Sequence, residues 1–303
     1  MLGIIISLIL IILVIYFFPT PKAAFRKIYT DVPADTSQSL QAFRSRHPLN
    51  HLIVESVTWD YISLGQGPET ILLLHGMGGG YDIWWQQIDA LQDRFRIIAP
   101  TYPPVHTLAQ LKMGLMAILD KEQVDRLNVV GSSLGGYLAQ YLVAKQSDRI
   151  KKAVFANTFP PNNIIIEKSG NPGKLLSLLP EWAVMRNFRK TTADKIYPAS
   201  GNSELVRAYM LEQSYGMMSK AQFAARFRCV IDSFEPPEIQ SSGIPILIIE
   251  ADNDPLVEET LREMLKTTYP TAEIKTLPGA GHFPYLNRPE EYTKILGEFL
   301  NGA

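Results

Sequence analysis

The sequence predicts an α/β fold in which a mostly parallel central sheet is covered by helices on both faces. Short apolar, β-rich runs alternate with helical stretches through most of the chain, a pattern typical of parallel sheets whose strands are buried on both sides. The alternation stops between about residues 160 and 242 and then resumes. This interruption indicates that helices are inserted into an otherwise regular sheet fold.

The predicted elements follow one another from residue 53 onwards. We expect an edge hairpin or strand over Ile53–Leu64, where apolar and polar residues alternate. The later predicted strands are Thr70–Leu74, Arg96–Pro100, Arg126–Gly131, Ile150–Ala156, Ile244–Ala251 and Glu273–Leu277. The predicted helices that cover them are Leu108–Glu122, Leu134–Gln146, Glu258–Thr268 and Pro289–Leu300.

The chain divides into three parts by composition. Residues 1–20 are a strongly apolar N-terminal segment, residues 21–50 are a polar connector with several prolines, and residues 51–303 form one domain. The insertion at about 160–242 combines proline and glycine with amphipathic helical stretches. We expect it to be a helical lid over the carboxyl ends of the strands.

An unbroken apolar run extends from Leu2 to Phe18. As a helix it would be roughly 26 Å long, slightly short of a typical ~30 Å hydrocarbon core, and no Ala-x-Ala cleavage site follows it. The run therefore predicts a single-pass transmembrane helix rather than a cleaved signal peptide. Lys22, Arg26 and Lys27 follow the run and no basic residue precedes it, so the positive-inside rule places the rest of the chain in the cytoplasm.

Charge and cysteine content exclude some classes of function. The formal net charge of −1 gives no general attraction to nucleic acid, and we expect no such partner. The single cysteine, Cys229, lies in a helical stretch without a glycine-rich turn, which favours a structural role. No cluster of cysteine and histidine has metal-ligand spacing, and we expect neither a metal nor another cofactor.

Ser133 is the candidate nucleophile. It is the centre of a G-x-S-x-G motif between Gly131 and Gly135, and the motif follows an apolar strand and precedes a helix. A nucleophile elbow requires this context, because its glycines allow a strained turn that exposes the serine hydroxyl at the helix N-terminus. The neighbouring Ser132 lacks glycines at the corresponding spacing.

A serine hydroxyl needs a base, and the base needs a carboxylate that fixes its tautomer. His282 lies in a small-residue loop after the last predicted strand, and the strand before that one ends close to Asp252 and Asp254. We assign His282 as the base and Asp254 as the acid, with Asp252 as the alternative acid or as a residue that hydrogen-bonds the loop. The chain order of serine, acid and histidine is that of one large class of serine hydrolases.

Two backbone N–H groups are expected to stabilise the oxyanion. One belongs to Leu134, directly after the nucleophile, and the other to Met77 in the glycine-rich loop that begins at His75 and Gly76. We expect His75 to pack and hydrogen-bond beneath this loop rather than to act as a base. The loop lacks the spacing of a phosphate-binding loop.

These motifs resemble the α/β-hydrolase superfamily over roughly residues 53–300, and within it the maspardin-like group. The resemblance to that group is carried by the segments 131–140, Ala156-Asn157-Thr158-Phe159, Phe283-Pro284-Tyr285-Leu286 and Pro100-Thr101-Tyr102-Pro103. It implies an α/β-hydrolase fold with a helical lid. Maspardin itself is regarded as a binding protein with an asparagine at the histidine position, whereas this chain has His282 there.

The intact set of serine, acid and histidine predicts a serine hydrolase that cleaves a carboxylic ester through an acyl-enzyme. The apolar lid beside an apolar N-terminal segment favours a small, lipid-like ester as the partner, by analogy of fold. Two alternatives stay open: a non-catalytic binding or adaptor protein, and a thioesterase or carbon–carbon bond hydrolase on the same scaffold. The oligomeric state stays unknown.

Overall fold

One eight-stranded sheet forms the centre of the computed structural model, which describes residues 1–169, 176–236 and 243–302. The strands are β1 (Asn50–Val54), β2 (Val57–Leu64), β3 (Glu69–Leu74), β4 (Phe95–Thr101), β5 (Leu127–Ser132), β6 (Ile150–Ala156), β7 (Ile246–Glu250) and β8 (Glu273–Thr276). Their spatial order is β1-β2-β4-β3-β5-β6-β7-β8.

The sheet is parallel except at one edge. β1 and β2 form an antiparallel hairpin and β2 pairs antiparallel with β4, whereas the remaining neighbours are parallel. The hairpin turns at Glu55 and Ser56, which both have positive φ. The predicted mostly parallel sheet with an edge hairpin is therefore confirmed.

Helices lie before, between and after the strands. The N-terminal helices are α1 (Leu2–Tyr16), α2 (Phe25–Ile28) and α3 (Ala34–Arg46), and those among the first six strands are α4 (Trp85–Leu91), α5 (Leu108–Lys121) and α6 (Leu134–Lys145). Between β6 and β7 lie α7 (Asn163–Ser169), α8 (Glu181–Thr191), α9 (Tyr197–Ala199), α10 (Glu204–Glu212) and α11 (Lys220–Val230). The last helices are α12 (Glu259–Thr268), α13 (Pro284–Asn287) and α14 (Pro289–Asn301).

Both faces of the sheet are buried. Successive side chains of β3 enter two different hydrophobic clusters, Ile71 and Leu73 on one face and Leu72 and Leu74 on the other, as the two-residue period of a strand requires. In open sheets of this kind, ligands bind at the carboxyl ends of the parallel strands.

The lid consists of α7 to α11. Side-chain caps fix the starts of two of its helices: Ser203 accepts a hydrogen bond from the N–H of Val206, and Ser219 forms a capping box with Gln222. Residue 242, where the sequence predicts the end of the insertion, lies outside the described residues, as does residue 303.

The N-terminal helix is shorter than predicted. α1 has 15 residues, which corresponds to about 22 Å of helix, and it ends at Tyr16 rather than Phe18. In the described parts of the chain no helix combines the length and the apolar character that a membrane crossing requires. The predicted transmembrane helix is therefore not supported.

Candidate active site

Ser133 occupies a strained turn between β5 and α6. Its backbone has φ 56° and ψ −121°, a conformation that a non-glycine residue adopts only when its surroundings impose it. The surroundings are tight because a Cβ atom at Gly131 would lie 2.0 Å from the carbonyl oxygen of Gly135, and one at Gly135 would lie 2.1 Å from that of Leu74. Both glycines of the motif are thus required by close backbone contacts.

Two contacts from the end of β6 hold the turn in place. The N–H of Ser133 donates to the carbonyl oxygen of Ala156 at 2.9 Å. The hydroxyl of Thr158 donates to the carbonyl oxygen of Ser133 at 2.7 Å. Sequence reasoning did not assign Thr158 a role, although its position just after a strand at the same sheet edge could have indicated one.

Asp254 and His282 form a buried pair. Nδ1 of His282 lies 2.9 Å from Oδ1 and 2.8 Å from Oδ2 of Asp254, and both residues are almost fully buried. Asp252 instead accepts a hydrogen bond from the N–H of Gly279 at 2.7 Å. The carboxylate that contacts the histidine is therefore that of Asp254, and Asp252 holds the loop that carries the histidine.

Further donors surround the Asp254 carboxylate. Oδ1 accepts hydrogen bonds from the N–H groups of Leu256 and Val257, and Oδ2 accepts one from the side-chain amide of Asn157. Burial alone would raise the pKa of Asp254, but His282 and these donors outweigh it and hold the pKa below its ordinary value. The carboxylate is consequently ionised at neutral pH.

Asn157 is a site residue that sequence reasoning missed. Its amide donates to Asp254 at 3.0 Å and to the carbonyl oxygen of Gly281 at 3.2 Å, so it connects the acid to the histidine loop. It follows β6 directly and has φ 44°. A polar residue at the carboxyl end of a strand beside the elbow is the signal that could have identified it.

The glycine-rich loop lies directly against Ser133, the candidate nucleophile. A Cβ atom at Gly76 would lie 3.0 Å from Cβ of Ser133, so any side chain there would displace the serine. The loop therefore brings the Met77 residue next to Ser133 and to the start of α6, where Leu134 is the first helical residue.

His75 supports this loop from below. Nδ1 lies 2.7 Å from the carbonyl oxygen of Gly76, and the N–H of Tyr102 donates to Nε2 at 3.2 Å. These contacts assign the tautomer with the proton on Nδ1. Burial, followed by the nearby Arg226, lowers the pKa of His75 well below its ordinary value, so the ring is neutral and cannot serve as a solvent-accessible base.

Ser133 and His282 line one cavity of about 340 Å³. Among the described residues no hydrogen bond joins the Ser133 hydroxyl to the His282 ring, a looseness that is common in unliganded catalytic sites. The other side chains around the cavity are mostly apolar and come largely from the lid: Met77, Phe159, Ile165, Asn187, Phe188, Thr191, Ile196, Met210, Phe223, Phe227, Val230, Leu256 and Phe283.

Two other kinds of chemistry have little structural basis in the described residues. Cys229 is buried, its thiol contacts the carbonyl oxygen of Val105, and burial raises its pKa to about 12. Across residues 1–169, 176–236 and 243–302 no group of three His, Cys, Asp or Glu side chains is arranged to hold a metal ion.

The site and the sheet together define a class of protein. A family model described as the alpha/beta hydrolase fold matches residues 69–289, and the chain belongs to this family. It is similar to maspardin from Danio rerio, with 30% identity over 82% of this chain and 81% of that protein. It is also similar to the putative carbamate hydrolase RutD from Caulobacter sp. (strain K31), with 24% identity over 77% of this chain and 91% of that protein.

A solved structure extends the comparison to nearly the whole chain. The crystal structure of a membrane phospholipase A, a bacterial virulence factor, covers 99% of this chain and 97% of its own, with a TM-score of 0.66 and 19% identity. A likeness at this identity shows the fold. The predicted resemblance to α/β-hydrolases and to the maspardin-like group is confirmed, and these relatives support a hydrolase in general terms.

Proposed function

We propose that the protein is a serine hydrolase that cleaves carboxylic esters through Ser133, His282 and Asp254. The single observation that carries the proposal is the arrangement in one cavity of a strained, half-buried serine and a histidine whose Nδ1 is paired with a buried carboxylate. A protein that only binds its ligand has no physical need for all three groups at these positions.

The proposed reaction has two steps. Ser133 Oγ attacks the ester carbonyl carbon while its proton moves to Nε2 of His282, and the N–H groups of Met77 and Leu134 stabilise the oxyanion. His282 then gives the proton to the departing alkoxide, which leaves an acyl group on Ser133. Water activated by His282 hydrolyses this acyl-enzyme and restores the serine. Asp254 keeps the histidine in the required tautomer throughout.

The cavity supports a neutral, mainly apolar ester as the substrate. No Lys, Arg, Asp or Glu side chain lines it within the described residues, and its polar lining outside the reacting groups is limited to Asn187 and Thr191. Its volume of about 340 Å³ lies near the lower end of the roughly 300–1,000 Å³ typical of ligand pockets. Esters with a carboxylate in the acyl part would lose their hydration there without a compensating cation.

A serine-directed fluorophosphonate probe tests the proposal. Wild type should be labelled and Ser133→Ala should not, because the probe phosphonylates only an activated serine. Ser132→Ala is the matched control, since it removes the neighbouring hydroxyl, and it should label like wild type. A folded wild-type protein that resists labelling, or equal labelling of wild type and Ser133→Ala, would contradict the proposal.

The base is tested on neutral esters of increasing chain length. His282→Asn should lose activity against every member of the panel, because no other base reaches the serine in the proposed mechanism. Retained activity would undermine the assignment. Matched thioesters test for thioesterase activity, and vinylogous diketones test for carbon–carbon bond cleavage. Together they distinguish the types of bond that one triad can cleave.

The second candidate is a binding protein, and the similarity to maspardin at 30% identity favours it. In that case the cavity would bind an apolar ligand without hydrolysing it. A binding protein would remain unlabelled by the probe and inactive on the panel of esters. It would still bind a nonhydrolysable apolar analogue saturably. Met210→Trp, which fills the cavity, should abolish that binding.

We also propose that residues 2–18 attach the protein to a membrane, on its cytoplasmic face. The apolar side chains of α1 between Ile4 and Ile15 are largely exposed to solvent, which is costly in water. Lys22, Arg26 and Lys27 follow and would contact anionic headgroups. Deletion of residues 1–18 should move the protein from the membrane pellet to the supernatant, and a truncated protein that stays with the membranes would contradict this assignment.

A further inference from the structure

Arg226 is a buried cation that the proposed chemistry does not use. It lies on the lid helix α11 with 2% of its surface exposed. Its Nη1 donates to the carbonyl oxygens of Met77 at 2.8 Å and Gly79 at 2.9 Å, and its Nη2 donates to that of Tyr102 at 3.1 Å. All three acceptors belong to the sheet domain, two of them to the predicted oxyanion loop.

This placement costs stability rather than adding it. Burial lowers the pKa of Arg226, but only to about 10, so the side chain stays charged at neutral pH. Throughout the described residues it forms no salt bridge, and its Nε has no hydrogen-bond partner. Three carbonyl dipoles, the Met218 sulfur at 3.3 Å and the Tyr102 ring at 5.8 Å face the guanidinium, and a buried charge without a carboxylate partner keeps a large desolvation cost.

The contacts orient the peptide groups of the loop. The carbonyl of Gly76 is held by His75 and by the N–H of Gly79, and the carbonyls of Met77 and Gly79 are held by Arg226. In a trans peptide the N–H points opposite to the carbonyl. The Gly76 carbonyl, held by His75, therefore sets the direction of the Met77 N–H, and the Met77 carbonyl, held by Arg226, fixes the peptide plane on the other side of the Met77 Cα.

We propose that Arg226 is a positioning residue that holds the predicted oxyanion loop from the lid. It fixes the Met77 carbonyl, next to the peptide group whose N–H His75 directs, and so keeps the Met77 N–H in place to face the reacting carbonyl oxygen. This inference rests on the proposed esterase function. It makes the lid part of the catalytic apparatus: the helix that covers the substrate also fixes the donor that stabilises the transition state.

The packing around the loop supports this coupling. A Cβ atom at Gly78 would lie 3.1 Å from Met210 and 3.1 Å from Phe188, so lid side chains press on the loop from the cavity side. Arg226 holds it from the opposite end of the same lid. The guanidinium also donates to the carbonyl of Tyr102, whose ring stacks on His75 at 3.8 Å. Arg226 therefore contacts the loop directly and also stabilises the residue that packs against His75.

The test compares Arg226→Met, Arg226→Lys and wild type in the full chain, on a neutral ester. Removing an oxyanion donor costs about 10²–10³-fold in kcat, so a displaced donor should cost roughly 10–100-fold for Arg226→Met with KM nearly unchanged. Arg226→Lys should fall between, because a single ammonium cannot hold three carbonyls in a fixed geometry. Rates are normalised to the serines that react with the fluorophosphonate.

A second readout separates positioning from stability. An alkyl trifluoromethyl ketone forms a tetrahedral adduct on Ser133 whose oxyanion occupies the hole, so its inhibition constant should rise in Arg226→Met by the same factor as kcat falls. The control is Arg189→Met: Arg189 also donates to a backbone carbonyl, that of Ser214, but contacts only the lid. It should keep kcat and the inhibition constant within about twofold of wild type, since no loop donor moves.

The outcomes separate the positioning role of Arg226 from the proposed function. If folded Arg226→Met has the same kcat and inhibition constant as wild type, the positioning role is overturned. It is also overturned if Arg189→Met loses as much kcat as Arg226→Met. If Arg226→Met does not fold, Arg226→Lys and Arg226→Gln carry the comparison, and an unaltered inhibition constant in either one overturns it. Wild type that neither labels nor hydrolyses esters removes the proposed function itself, an outcome visible before any Arg226 variant is made.

Discussion

The floor and the roof of the cavity are built in different ways. The floor consists of Gly76, Ser133, Asp254 and His282 at the carboxyl ends of the parallel strands, held mainly by backbone contacts close to the sheet. The roof consists of the lid helices α7 to α11, tied to the body by buried polar side chains. In the proposed mechanism the floor would carry the reacting groups, and the roof would cover the substrate and hold the oxyanion loop.

The roof has a second buried attachment besides Arg226. Arg44 of the connector donates to Asp82 at 2.7 Å and to both carboxylate oxygens of the lid residue Glu212, at 2.9 and 2.8 Å. Tyr29 donates to Glu212, and Tyr209 of the lid donates to Asp82. The connector thus joins the lid to the segment that follows the oxyanion loop, a contact made only in the tertiary structure.

The largest expected effect is in the floor. Asp254→Asn should lower kcat by about 10³–10⁴-fold, because an asparagine amide favours the wrong tautomer of His282. Ester turnover under saturating substrate measures it. Asp252→Asn is the control, since the Asp252 carboxylate accepts a hydrogen bond from the backbone of Gly279, and a comparable loss there would refute the assignment of Asp254.

A second substitution, next to the floor, should lower the stability of the fold. Gly135→Ala should reduce the free energy of unfolding by about 3 kcal/mol, the upper part of the overpacking range, because its Cβ would meet the Leu74 carbonyl at 2.1 Å. Denaturant titration measures the change. Gly297→Ala in α14 is the matched control: its Cβ would make only an ordinary 3.5 Å contact and should be neutral or stabilising.

A substitution in the connector, where it holds the roof, should have a smaller effect on stability. Arg44→Met leaves Asp82 and Glu212 buried without their cation and should cost about 2 kcal/mol, less than a fully buried pair because Arg44 is partly exposed. Arg46→Met removes an exposed 3.4 Å pair with Asp89 and should change stability much less. Equal losses in the two variants would show that the buried network adds nothing.

The smallest effect is the dependence of stability on pH. The pKa of Asp254 is lowered in the folded protein from its ordinary value of 3.8, so its contribution is complete above that value and disappears as the pH falls through the folded pKa. The free energy of unfolding of wild type should therefore fall more steeply between pH 4 and pH 2 than that of Asp254→Asn. Parallel curves would mean that the carboxylate contributes nothing to folding.

The strands and the elbow could be predicted from the sequence because their signals are local. β6 and the helix after Ser133 follow from apolar runs, and Gly131 and Gly135 from the spacing of the motif. The alternation over Ile53–Leu64 indicated a hairpin or a strand, and the structure has a hairpin that begins earlier, at Asn50. Periodicity over a few residues is enough for such elements.

The partners of the site could not be predicted in the same way. Asp252 and Asp254 both follow β7, and the sequence favoured Asp254 without excluding Asp252. Only the path of the loop shows that the Asp254 carboxylate contacts the ring while that of Asp252 contacts Gly279. The N-terminal run was read as a membrane span, although its helix ends at Tyr16. Composition indicates burial in an apolar phase, but it does not fix where a helix stops.

The sequence alone therefore determined the main strands and the helices that cover them, the position of the candidate nucleophile and the histidine loop, because each is encoded by residues adjacent in the chain. The tertiary structure alone decided that Asn157 holds the acid and that Arg226 holds the oxyanion loop. Arg226 and Met77 are 149 residues apart. Whether two such groups meet depends on how the lid folds back over the sheet, which no local pattern specifies.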